Sequence, residues 1–145
     1  MKLRHLLSVL LLLTSVKAVA HGEEKPGPHG GHIKMPGAFH TELEIDSNQG
    51  AHIFLLDMQF KNPTIKDSSI SAVFKTKKEQ IPYQCSVMGR DHFHCAPSKK
   101  LPSKGQLVIK AIREKAVGNE AVYNIPLKPF EKNSDEEPVD HSAHH

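Results

Sequence analysis

Apolar and polar residues alternate through most of the chain between residues 38 and 130, the period of strands half buried against a core. Phe39, Thr41, Leu43 and Ile45 share one face of the first segment, and His40, Glu42, Glu44 and Asp46 share the other, which the pattern assigns to solvent. A turn at Ser47-Asn48-Gln49-Gly50 leads into Ala51 to Phe60, a run apolar on both faces that predicts a central strand stopped by Asn62-Pro63. Further strands are predicted at Ser69 to Lys75, Glu79 to Met88, His92 to Ala96, Gln106 to Val117 and Glu120 to Leu127, the last two joined by a tight turn at Gly118-Asn119. Helical periodicity is absent over any comparable length. The expectation is an all-β fold, a seven-stranded antiparallel β-sandwich over residues 38 to 130.

The two ends read differently. Residues 1 to 5 are basic, Leu6 to Leu13 are apolar, and Ala18-Val19-Ala20 is a small-x-small cleavage pattern, so residues 1 to 20 are expected to be a signal peptide cut before His21. The apolar stretch is too short to cross a bilayer, and no cysteine for lipid attachment follows the cut. The expectation is a periplasmic or secreted protein without a membrane anchor. Residues 21 to 37 hold five glycines, three prolines and three histidines, and predict a flexible arm. Residues 131 to 145 carry five acids and end in His141, His144 and His145, which predicts a disordered tail.

Removing Lys2, Arg4 and Lys17 with the leader leaves 16 basic against 16 acidic side chains, so charge gives no reason to expect nucleic acid as a partner. Cys85 and Cys95, an even count in an exported chain, predict a disulfide. With Gly89-Arg90-Asp91 as the loop of a hairpin, Met88 faces His92, Val87 faces Phe93, Ser86 faces His94 and Cys85 faces Cys95. The inner face is then Ile81, Tyr83, Cys85, Val87, Phe93 and Cys95, while Gln84, Ser86, Met88, His92 and His94 point outward.

Histidine is the outlying residue type, with ten of eleven remaining after cleavage. Neutral imidazole suits copper, zinc and nickel, which makes a metal ion the expected partner. Three groupings carry candidates. His21 would gain a free α-amine beside its imidazole on processing, a chelating pair suited to Cu(II). His29 and His32 flank two glycines and precede His40. His92 and His94 share a strand face about 6.6 Å apart, with Met88 across the hairpin to supply a thioether.

His29-Gly30-Gly31, Gly37, His40-x-Glu42 and Leu55-Leu56-Asp57 resemble small exported bacterial His-rich β-sandwich proteins linked to copper or heavy-metal handling, over residues 29 to 60. That resemblance implies an immunoglobulin-like or cupredoxin-like sandwich and a metal role for His29, His32 and His40. Blue-copper proteins share the setting, but their cysteine is followed by ligands, whereas Ala96-Pro97-Ser98 follows Cys95. No G-x-S-x-G, H-E-x-x-H or phosphate-loop motif occurs, so an enzyme is not expected. The leading expectation is an exported copper-binding protein, with zinc or nickel as alternatives, serving metal buffering, trafficking or resistance beside an efflux or metallochaperone partner. The competing one is a disulfide-stapled interaction module without a specific metal function.

Overall fold

The computed structural model describes residues 25–131, and the expected leader, His21 and the tail histidines lie outside them. The described residues are all-β, with nine strands: β1 (His32–Lys34), β2 (His40–Ile45), β3 (Ala51–Leu56), β4 (Ser69–Lys75), β5 (Gln80–Met88), β6 (His92–Pro97), β7 (Gly105–Arg113), β8 (Ala116–Val117) and β9 (Ala121–Ile125). Every pairing is antiparallel, in the order β1-β2-β3-β6-β5-β4-β7-β8, with β9 also on β7. The path folds into two facing layers that share β5. Residues Tyr83–Met88 of β5 pair with β6, while Gln80–Pro82 pair with β4. Pro82 sits where the strand changes layer, a place that tolerates its missing N–H. Its carbonyl accepts from Ser98 N at 3.0 Å.

Between the layers lie Phe39, Leu43, Ile53, Leu55, Phe74, Ile81, Leu107, Ile109 and Tyr123, all nearly or fully buried. Tyr123 ties the layers together, with its hydroxyl 2.7 Å from Thr41 Oγ1 and donating to the Thr41 carbonyl at 3.1 Å. Burial, set partly against the Thr41 hydrogen bond, pushes the Tyr123 pKa up, and the phenol stays a neutral donor. The cysteine hairpin has the expected register at every pair, and Cys85–Cys95 is a disulfide.

Four details depart from the sequence expectation. The run from Ala51 stops being a strand at Leu56, because Asp57 closes a turn: its N–H reaches the Lys61 carbonyl at 2.8 Å, and its Oδ1 accepts from Gln59 N and Lys61 N, each at 2.9 Å. Gln106 to Val117 is two strands. The chain reverses at Glu114-Lys115, both with positive φ, as a two-residue hairpin requires. Gly118-Asn119 belongs instead to a bulge, since three residues between Val117 and Ala121 oppose two between Ile109 and Ile112. Finally, Val87 is 54% exposed near the hairpin tip instead of joining the inner face.

The arm departs from the expectation as well. Although no periodicity marks it, His32–Lys34 pairs with Thr41–Leu43 as an edge strand. Gly30, at φ 87, turns the preceding residues back, with Gly30 N donating to the Gly27 carbonyl at 2.9 Å. That turn covers Glu42, which is fully buried instead of solvated. Its carboxylate accepts from His29 N at 2.8 Å, Gly31 N at 3.0 Å and His29 Nδ1 at 2.7 Å.

Candidate metal centre

The outer face of the first layer carries the chemistry. Strand parity puts Ile53 and Leu55 in the core and turns His52 and Phe54 outward. Because β3 pairs with β6, His52 lies opposite His94 and Phe54 opposite His92. The β2–β3 turn then delivers Asp46 to the same spot. Asp46 Oδ1 caps that turn, accepting from Asn48 N at 2.8 Å and Gly50 N at 2.9 Å, which leaves Oδ2 facing the histidines. Tyr83 steadies the turn by donating to the Gln49 carbonyl at 3.1 Å. Burial, with Asp46 nearby, pushes the Tyr83 hydroxyl up to about 12, so it too remains a donor.

Asp46 Oδ2 is 3.2 Å from His94 Nε2 and 3.5 Å from His52 Nε2, and the three ligand-capable atoms all lie within 4.8 Å of one another. A tetrahedral ion with bonds near 2.0–2.2 Å sets its ligand atoms about 3.3–3.6 Å apart. Two of the three edges therefore already have the size that a bound metal requires. The side chains are 24–30% exposed, open enough for an ion to enter. Partial burial alone would raise the Asp46 pKa, but hydrogen bonds from Gly50 N, His94 and Asn48 N outweigh it and hold the carboxyl below its usual range. The group is thus an ionised acceptor between two imidazoles. Gly50 keeps the space open: a Cβ there would stand 2.7 Å from His94 Nε2 and would also collide with Asp46 Oδ2.

Among the described residues this is the group of three or more His, Cys, Asp or Glu side chains close enough to share an ion. Of the sequence candidates it contains His94. His92 adjoins it, with Nε2 3.3 Å from His52 Nδ1 and Nδ1 2.7 Å from Asp91 Oδ1. Met88 faces His92 across the hairpin and is 44% exposed. The other candidates are placed apart. His29 is held by Glu42 and stacks on Phe54, ring centroids 3.7 Å apart. His32 donates to the Lys128 carbonyl at 2.8 Å and stacks on Phe130. His40 is buried, donates to the Asp57 carbonyl at 3.0 Å and stacks on Phe60.

Asp46 and His52 were not among the sequence candidates. Their shared signal was available in part: both lie on outward positions of adjoining strands, one at the mouth of a predicted turn. A separate groove of about 600 Å³ opens between β1 and the segment after β9, lined by Lys25, His32, Lys34, Tyr123 and Lys128 among others. Asp46, His52 and His94 do not line it. Comparison with family models, curated proteins and solved structures returns no match.

Proposed function

We propose that this protein is an exported binder of a transition-metal ion, held by His52 Nε2, His94 Nε2 and Asp46 Oδ2. The observation that carries the reading is the pair of 3.2 and 3.5 Å separations centred on Asp46 Oδ2, which among the described residues has no lysine or arginine paired with it. Two imidazoles and one carboxylate suit copper(II), zinc or nickel, and at such a site the order of divalent affinities puts copper(II) first. Three protein ligands on an open face leave a coordination position free, as in sites that exchange a ligand and unlike the closed four-ligand structural zinc site. That favours buffering, trafficking or resistance, with an efflux or metallochaperone partner taking the ion from the exposed side. The role we read is that of a binder, with the three residues on an open face apart from the groove.

The disulfide and the leader-like start agree with a periplasmic or secreted location. Titration of the processed chain with Cu(II), Zn(II) and Ni(II) tests the reading. One ion per chain is expected, lost in Asp46→Asn, His52→Ala and His94→Ala and retained in His32→Ala and His40→Ala. A processed chain that takes up none of the three ions refutes it.

A further inference from the structure

We propose that His92 and Asp91 are positioning residues for the metal centre: a hydrogen-bonded chain fixes His52 in the tautomer whose Nε2 is a bare lone pair facing Asp46. The inference rests on reading Asp46, His52 and His94 as ligands. It starts at Asp91, whose carboxylate can only accept, so its 2.7 Å contact places a proton on His92 Nδ1. Neutral His92 then has no proton on Nε2. That nitrogen is 3.3 Å from His52 Nδ1, which must therefore be the donor. Neutral His52 consequently carries no proton on Nε2, the atom 3.5 Å from Asp46 Oδ2.

Two acceptors thus face each other, and a cation satisfies both. The distances follow the same logic, because His94 Nε2, free to carry a proton and donate it, lies closer to Asp46 Oδ2 at 3.2 Å. Packing keeps the relay in place. The His92 ring stacks on Phe54 at 4.5 Å and 20°, Phe54 stacks in turn on His29 at 6°, and His92 is only 16% exposed. His92 Nε2 is engaged by His52 and is not a fourth ligand. Outer partners of this kind set the orientation and basicity of a metal-binding imidazole.

Long-range proton–nitrogen NMR correlations on the metal-free chain at pH 8 read the tautomers directly. His52 and His92 are each expected to be protonated at Nδ1 and bare at Nε2, and Asp91→Ala, a change on an exposed loop, should leave His52 a mixture. Zinc titration should show affinity lowered about 10- to 100-fold in Asp91→Ala and in His92→Phe, which retains a ring against Phe54. A proton on His52 Nε2 in the parent chain, or zinc affinity unchanged in both variants, overturns the relay while leaving the metal site standing. A parent chain with the expected tautomers that takes up no zinc refutes the metal site itself, and with it the relay's part in capture.

Discussion

Gly50→Ala separates the proposed metal centre from the fold that carries it. Gly50 is buried and its backbone lies outside the left-handed region, so alanine meets no conformational penalty there. The added Cβ would lie 2.7 Å from His94 Nε2, where ordinary contact begins at 3.4 Å, so the imidazole tip must retreat by about 0.7 Å and Asp46 Oδ2 must move as well. Both are ends of side chains that can swing toward solvent, so the strain is at the low end of the ~1–3 kcal/mol that overpacking costs. Loss of glycine's freedom in the unfolded chain offsets about 0.4–1 kcal/mol of it. Stability should therefore stay within about 1 kcal/mol of the parent. Metal sites tolerate deviations of about 0.2 Å in ligand distance, and a displacement several times larger at two of three ligands should weaken binding by at least about 100-fold. Urea unfolding and calorimetric Zn(II) titration measure the two effects. Zinc affinity within threefold of the parent, in a variant of parental stability, would show that these three atoms do not hold the ion.

Glu42→Ala should cost about 2–5 kcal/mol, because it strands the N–H groups of His29 and Gly31 beneath the arm turn, and hydrogen exchange at those two amides should accelerate first; unchanged exchange would contradict the latch. Replacing Cys85 and Cys95 with alanine reopens a loop of 10-residue separation and should lower stability by about 2–3 kcal/mol in non-reducing urea, with zinc still bound by the folded fraction; unaltered midpoints would refute this. The Lys61 N–H, aided by Asn62, Gln59 N and the Arg113 charge, outweighs desolvation and holds the Asp57 carboxyl below its usual range. Because the folded pKa is the lower one, this stabilisation is complete above the unfolded value near ~3.9 and disappears as pH falls through the folded value. The gap in urea midpoint between the parent and Asp57→Asn should accordingly narrow on going from pH 6 to pH 3, and a constant gap would remove the carboxylate from the account.

What the sequence makes legible is local. The hairpin from Ile81 to Ala96 could be read pair by pair because a three-residue loop and two cysteines fix the same register, and parity then assigns His92 and His94 to the outer face. Val87 escaped the rule because residues 83–88 of β5 pair with β6 alone and form an edge, so Val87 is left open while Phe93, its partner on the inner strand, is buried. The cover over Glu42 was hidden for a different reason. It is made by backbone N–H groups of a glycine-rich turn, which leave no apolar signature in the residues that supply them. Likewise His40 looked like a ligand by composition, yet its ring and Nδ1 are used to dock the Asp57 turn.

The proposed metal centre was half legible because it joins two hairpins that are distant in sequence. Asp46 and His52 flank the β2–β3 turn, and His94 stands on the disulfide hairpin. Only the β3–β6 pairing brings His52 to His94, and register across 42 residues is decided by the burial of Ile53 and Phe93 in a common core, not by any neighbouring turn. The same arrangement has an energetic consequence. An ion bound to Asp46, His52 and His94 cross-links the two hairpins and stabilises the folded chain by its own binding free energy, about 2.7 kcal/mol when free metal is a hundredfold above Kd. Amides along β3 and β6 should then exchange more slowly in the loaded protein, whereas those of the β4–β7 pair, in the other layer, should gain only what global stabilisation confers. No added protection at β3 and β6 would mean that the ion does not bridge the hairpins.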